Sequence, residues 1–221
     1  MNYFLGLVKK EFIEIRYSYK QLIIYACMYG LGIYVANTFL NSINQINTIV
    51  PINWNNAGYF IVVFLSSFMP SNFLMESILS DKNNQTFERY FVSGNIKNIM
   101  LAKLFAMSIL GIVPFYIFNI YFLINGTNII NSVFLAIDTP FYFWIALCVV
   151  TIFTFPFSDE KSVSFACIPC LLGMFVIFFI NDYIAANYHP VLSCIFTIAC
   201  AVVVTIIAYK AYKNTKYFLK K

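Results

Sequence analysis

Six stretches of this chain, at 22–40, 58–79, 104–124, 140–157, 162–180 and 190–209, run apolar for about twenty residues each. Only the second holds a charge, Glu76, and that lies near its end. About twenty residues at a helical rise of 1.5 Å span about 30 Å, the thickness of a hydrocarbon core. Nothing in these runs alternates with a period of two, and backbone inside lipid must satisfy its own hydrogen bonds, so the runs predict helices rather than barrel strands. A chain that is 61% hydrophobic, 19% aromatic and 10% charged lies outside the composition of soluble domains. The expectation is an all-α polytopic membrane protein with six transmembrane helices. It forms one transmembrane domain over 1–221 and leaves no room for a separate soluble domain.

The cations set the orientation. Lys9, Lys10, Arg16 and Lys20 precede the first run; Lys82, Arg89, Lys97 and Lys103 lie between the second and third. Lys161 lies between the fourth and fifth, and Lys210, Lys213, Lys216, Lys220 and Lys221 follow the sixth. A six-span path puts all fourteen on one side, so both termini are expected in the cytoplasm. The net charge of +5 then reflects topology and anionic lipid, and nucleic acid is excluded as a partner. The first apolar run is a full span after twenty polar and amphipathic residues, and is expected to act as an uncleaved targeting signal. Abundant Ile, Asn, Lys, Phe and Tyr point to an AT-rich coding genome, hence a bacterial cytoplasmic membrane.

Residues 1–20 have a different character. Phe4, Leu5, Val8, Phe12, Ile15 and Tyr19 share one arc of a helical wheel, with Lys9, Lys10, Glu14, Arg16 and Lys20 outside it. The pattern predicts an amphipathic helix in the cytoplasmic interface plane, whether as a functional element or as a simple anchor. On the opposite side, Asp138-Thr139-Pro140 reads as a helix start, a capping side chain followed by Pro at the first helical position. The preceding "NGTNIINSVFLAID" then reads as a loop with an interfacial or re-entrant turn.

The densest polar stretch of the interior is "NNQTFERYFVSGNIK", residues 83–97, within a cytoplasmic loop expected over 80–103. Thr86 can cap a short helix, Glu88 falls in its first turn where the dipole favours a carboxylate, and Gly94 can end it. Phe87, Tyr90 and Phe91 share one face, with Glu88 and Arg89 on another. Such a helix suits insertion into a groove on a partner, the alternative being a helix lying on the lipid surface.

Residues 75–105, "MESILSDKNNQTFERYFVSGNIKNIMLAKLF", resemble the signature stretch of type-2 ATP-binding-cassette (ABC) transporter permeases, the six-span exporter subunits. Glu76 matches a carboxylate near the end of the second span, Thr86-Phe87-Glu88 the Thr-Leu-Glu, Ser93 the Ser, and Lys103 the Lys of a Gly-Lys pair opening the third span. Gln85, Gly94 and Ala102 stand where the pattern has Gly, Pro and Gly. The opening "LVKKEFIEIRYSYKQL" is similar to the N-terminal connecting helix of the same permeases.

The resemblance implies that Thr86, Phe87, Glu88, Arg89, Tyr90 and Phe91 form a coupling helix seated in a cytoplasmic ABC ATPase, with Glu76 and Lys103 supporting the loop. It further implies two ATPase subunits and a second permease copy or a related permease, with ATP and Mg on the ATPase. In agreement, the chain lacks the Gly-x4-Gly-Lys-Ser/Thr spacing of a phosphate-binding loop, so it is expected to hold no cofactor itself and to be a transport subunit rather than an enzyme. Asp159 and Glu160 form either a minor ATPase contact or a solvated turn.

Other residues carry less. Cys167 and Cys170 have redox-motif spacing but, like the other four cysteines, fall in apolar runs and read as packing. His189 alone makes no metal site. Ala26 with Gly30 and Gly32 with Ala36 allow close helix contact. No charge is expected deep within a span, which favours an ATP-driven carrier over an ion-coupled one. The favoured cargo is hydrophobic or amphipathic, such as an antimicrobial or other membrane-active peptide. The rival reading is the substrate-binding membrane component of a vitamin uptake system.

Overall fold

Backbone amides in an apolar run must be paired within the run, and the chain answers with helices. The computed structural model describes residues 2–16, 23, 27, 30, 31, 34, 54–84, 96–124, 129–154, 174, 176–185 and 187–213. Its helices are α1 (Asn2–Arg16), α2 (Trp54–Asn83), α3 (Ile96–Ile124), α4 (Ile129–Thr154), α5 (Val176–Ala185) and α6 (Pro190–Lys213). Among the described residues three segments are long and apolar enough to cross a membrane: Ile96–Val113, Ala136–Thr154 and Pro190–Lys213.

Helix α4 is the axis of the bundle, packed against α6, α2 and α3, while α1 packs on α3. Contact order gives the helix directions. Ser77 meets Lys103 while Pro70 lies against Gly111, so α2 and α3 are antiparallel. Asp138 meets Ser193 and Cys148 meets Thr205, so α4 and α6 run parallel. Asn181 reaches Asp138 and Phe178 lies against Tyr142, so α5 returns antiparallel to α4. One core cluster joins these helices, with Leu74, Ile78, Leu104, Phe115, Phe143 and Leu147 buried in it.

Close approach is a matter of small side chains. On α6 the buried residues Ser193, Thr197, Ala201 and Ala208 follow a helical stripe, with Thr205 between the last two donating to the Ala201 carbonyl at 2.6 Å. Small residues at this spacing let two helix backbones approach. Trp144 of α4 reaches across to donate to Thr205 Oγ1 at 2.8 Å. Outside the stripe α6 is exposed and apolar, with Ile195, Val202, Val203 and Ile206 all at least half exposed. Gly111 of α3 serves the same end, since a Cβ there would lie 2.6 Å from the Phe143 ring and 3.0 Å from Pro70.

The start of α4 differs from the sequence reading. Pro140 is not the first helical residue; α4 begins at Ile129, and Pro140 sits inside it. A proline within a helix removes the N–H that would reach the carbonyl four residues back, which here is Ala136. The Tyr116 hydroxyl of α3 donates to that carbonyl instead. The orphaned acceptor is thus satisfied from a neighbouring helix, and α4 continues through a residue that usually begins one. We expect Tyr116→Phe, which keeps the ring and removes the donor, to destabilise the protein by about 1–3 kcal/mol. A lower thermal midpoint in detergent, with unchanged helix content, is the expected result; an unchanged midpoint refutes this role for the hydroxyl.

Candidate functional site

Residues 85–95, between the end of α2 and the start of α3 at Ile96, lie outside the described residues. Within α3 the structure buries a lysine. Lys103 lies seven residues into α3, about 10 Å along its axis, and is 1% exposed. Its ammonium has three N–H donors and meets three partners. Glu11 Oε1 of α1 accepts at 3.0 Å, and Ser77 Oγ of α2 accepts as well. Asp81 Oδ2, also of α2, stands at 3.0 Å as an ion pair without hydrogen-bond alignment. Ser77 in turn donates to Glu11 Oε2 at 2.9 Å, which closes a ring. Glu11 and Asp81 are both buried, so one cation and two carboxylates share a site withdrawn from water.

The local sequence explains why three helices converge here. Ala102 and Ala106 are buried beneath Val8, with Phe4, Leu7 and Phe12 packed around them. The Phe4 and Phe105 rings lie 6.1 Å apart. Residues 4–11 of α1 thus meet residues 102–106 of α3, where the small side chains of Ala102 and Ala106 let the two helices approach. Lys82, beside Asp81, donates to the Thr154 carbonyl at 3.3 Å and ties the end of α2 to that of α4. Burial pushes its ammonium below the ordinary lysine value.

Of the residues expected to matter, Lys103 has a definite position. From α2 it draws Ser77 and Asp81, while Glu76 is half-buried beside them. On α1, Phe4, Val8 and Phe12 pack inward as their spacing predicts, whereas Leu5 is 54% exposed and Leu7 packs in its place. Thr86, Phe87, Glu88, Arg89, Tyr90 and Phe91 lie outside the described residues, as do Asp159, Glu160, Cys167 and Cys170. His189 is exposed, and its Nδ1 accepts from the Val191 amide at 3.2 Å, which caps the start of α6. Glu11 escaped the sequence reading. Its signal was a carboxylate at the edge of an apolar stripe, which alone does not say that the stripe buries it.

Lys103 and Asp138 both fall inside segments apolar enough to cross a membrane, and both are 1% exposed. Each is tolerated because polar side chains from neighbouring helices reach it, which a hydropathy profile cannot register. Asp138 is held at the end of α4 remote from Lys103 by Asn181 of α5, at 3.1 Å, and by Ser193 of α6, at 3.4 Å.

Between α3, α4 and α6 runs a groove of about 680 Å³. Its walls include Phe105, Ile112, Phe141, Trp144, Val202 and Tyr209, with the exposed Lys97 at the end next to the loop. Comparison with protein-family models, curated proteins and solved structures gives no match.

Removing one partner from a buried ionic cluster leaves uncompensated charge, at a cost of about 3–5 kcal/mol. Lys103→Met is therefore expected to sharply lower the thermal midpoint or prevent recovery of folded protein. The triple variant Lys103→Met, Glu11→Gln, Asp81→Asn, which neutralises the whole cluster, should regain most of that loss. A single Lys103→Met variant as stable as the parent contradicts the buried-charge account.

Proposed function

We propose that this chain is the transmembrane permease subunit of an ATP-binding-cassette exporter. It passes hydrophobic or amphipathic cargo, foremost an antimicrobial or other membrane-active peptide, across a bacterial cytoplasmic membrane. The observation that carries this reading is the Lys103–Glu11–Asp81–Ser77 cluster, which joins both flanks of the 84–95 loop to α1. A displacement applied to the loop would move α1, α2 and α3 together, because their shared ionic contacts resist separation. Alternating access needs such a rigid-body unit, driven from outside the membrane.

In this reading Thr86–Phe91 form the coupling helix that sits in the ATPase, and Asp159 and Glu160 add a minor contact. The chain crosses the membrane six times with both termini in the cytoplasm, and α1 lies at the cytoplasmic interface. The alternation of direction among α2, α3, α4, α5 and α6 is the order a six-span path requires. ATP and Mg reside on two ATPase subunits, and a second permease completes the pathway. The groove at α3, α4 and α6 favours amphipathic cargo, offering apolar walls and a cationic end at Lys97.

Co-purification in mild detergent with a candidate ATPase tests the proposal. The parent chain is expected to retain the ATPase. A Phe87→Ala, Glu88→Arg variant should lose at least tenfold of it while inserting in the membrane to the parent level. Equal retention by both forms defeats the coupling-helix assignment. A parent chain that purifies without ATPase but with a tightly bound small ligand supports the vitamin-uptake reading instead.

A further inference from the structure

The α4–α5–α6 junction holds a second ionic group that the proposed coupling to an ATPase does not use. Asp138 is 1% exposed in the Ala136–Thr154 segment, and Asn181 is 4% exposed. Asp138 Oδ2 accepts from Asn181 Nδ2 at 3.1 Å and from Ser193 Oγ at 3.4 Å. The Cys194 thiol also lies within hydrogen-bonding reach of this carboxylate. Asn181 Nδ2 donates in addition to the Tyr142 hydroxyl at 2.7 Å, and Thr197 adjoins that hydroxyl. Two buried oxygens remain without a hydrogen-bond partner among the described residues: Asp138 Oδ1 and Asn181 Oδ1. They belong to the two groups joined by the 3.1 Å contact.

Both orphans are acceptors, so what the site lacks is a donor or a cation. Among the described residues no basic side chain pairs with Asp138; the ion pairs belong to Lys103 at the far end of the bundle. A buried carboxylate without a counter-charge is costly in an apolar interior. A proton on Oδ1 would neutralise Asp138 but leave the Asn181 oxygen unsatisfied. A small cation reached by both oxygens would satisfy them, with the Ser193 hydroxyl beside the same carboxylate. The donors are oxygen, the ligand class of hard cations. With Asp138 as the one carboxylate among the proposed ligands, a monovalent ion balances its charge. No group of three His, Cys, Asp or Glu converges among the described residues, so the site does not suit a transition metal.

We propose that Asp138, Asn181 and Ser193 form a binding site for a small monovalent cation that ties α4, α5 and α6 together at the end of the bundle remote from Lys103. The site is independent of any ATPase and stands whether or not the permease assignment does. Occupancy fixes the relative position of the three helices, because each contributes one ligand.

The test uses the purified full chain in detergent, with sodium as the probe. Thermal midpoints are measured in sodium chloride and in choline chloride at equal ionic strength, at pH 8 and pH 6. Choline is too large to enter. The parent should gain about 5–10 °C in sodium at about a hundredfold excess over its dissociation constant. Asp138→Asn, which keeps the shape and removes the charge, should fold and show equal midpoints in both salts. Asn181→Ala, which retains the carboxylate, should raise the half-saturating sodium concentration at least tenfold.

The other titratable groups facing the site are Tyr142 of α4, Asp182 of α5 and Cys194 of α6, with Tyr116 of α3 nearby; Asp138→Asn leaves all of them in place. A parent midpoint that ignores sodium but rises at pH 6, with Asp138→Asn flat, assigns a proton to the carboxyl and overturns the proposal. A parent insensitive to both sodium and pH overturns it equally.

Discussion

A lysine ammonium held by two hydrogen bonds and two carboxylates inside an apolar bundle decides where the helices around it can stand. Lys103 brings a negative charge from α1 and another from α2 to a single point on α3, and none of the three charges is tolerable there alone. Net stabilisation is not what such a cluster supplies, because the desolvation of three ions offsets much of their attraction. Its effect is specificity of position: a shift of α1 by one turn, or of α2 against α3 by one residue, would strand a buried charge. Dispersion among Leu, Ile and Phe side chains elsewhere in the core tolerates small displacements far more readily.

The two ionic groups divide the bundle. Lys103 sits beside the end of α4 marked by Thr154, and Asp138 lies 16 residues back along the same helix, about 24 Å away. The interior between them holds hydrocarbon, aromatic rings and some hydroxyls bonded to their own helix, as with Thr151 on the Leu147 carbonyl and Ser108 on the Leu104 carbonyl. The Lys103 cluster holds α1, α2 and α3 to one another, and the Asp138 group holds α4, α5 and α6, so no ion pair of either group joins α3 to α4.

How much of this was legible in the sequence depends on whether the signal is local. Apolar length marked α6 to within a few residues, since it runs on from 209 to Lys213, whereas α3 begins at Ile96 and α4 at Ile129, well before the runs at 104–124 and 140–157. Pro140 misled because the usual rule for a proline after Asp-Thr is a helix start, and its exemption depends on a tyrosine 24 residues earlier in another helix. Glu11 and Lys103 are 92 residues apart, and no periodicity links them. Asp138 was read as a cap because a carboxylate before a proline usually is one. Its burial follows from Asn181 and Ser193, more than forty residues downstream. The resemblance marked Lys103, and the structure adds a physical reason for a small residue before it: Ala102 lies under Val8 where α1 crosses. The aromatic stretch Phe87–Phe91 lies outside the described residues, so its role rests on sequence.

The separation of Glu11 from Lys103 also constrains how the protein is made. At 5–20 residues per second, Glu11 leaves the ribosome about 5–20 s before Lys103 exists. During that interval α1 carries a carboxylate with no counter-charge and cannot dock. It must wait while α2 forms, and only the arrival of α3 gives its carboxylate the cation it pairs with. Docking of α1 thus follows the synthesis of Lys103, 92 residues later in the chain.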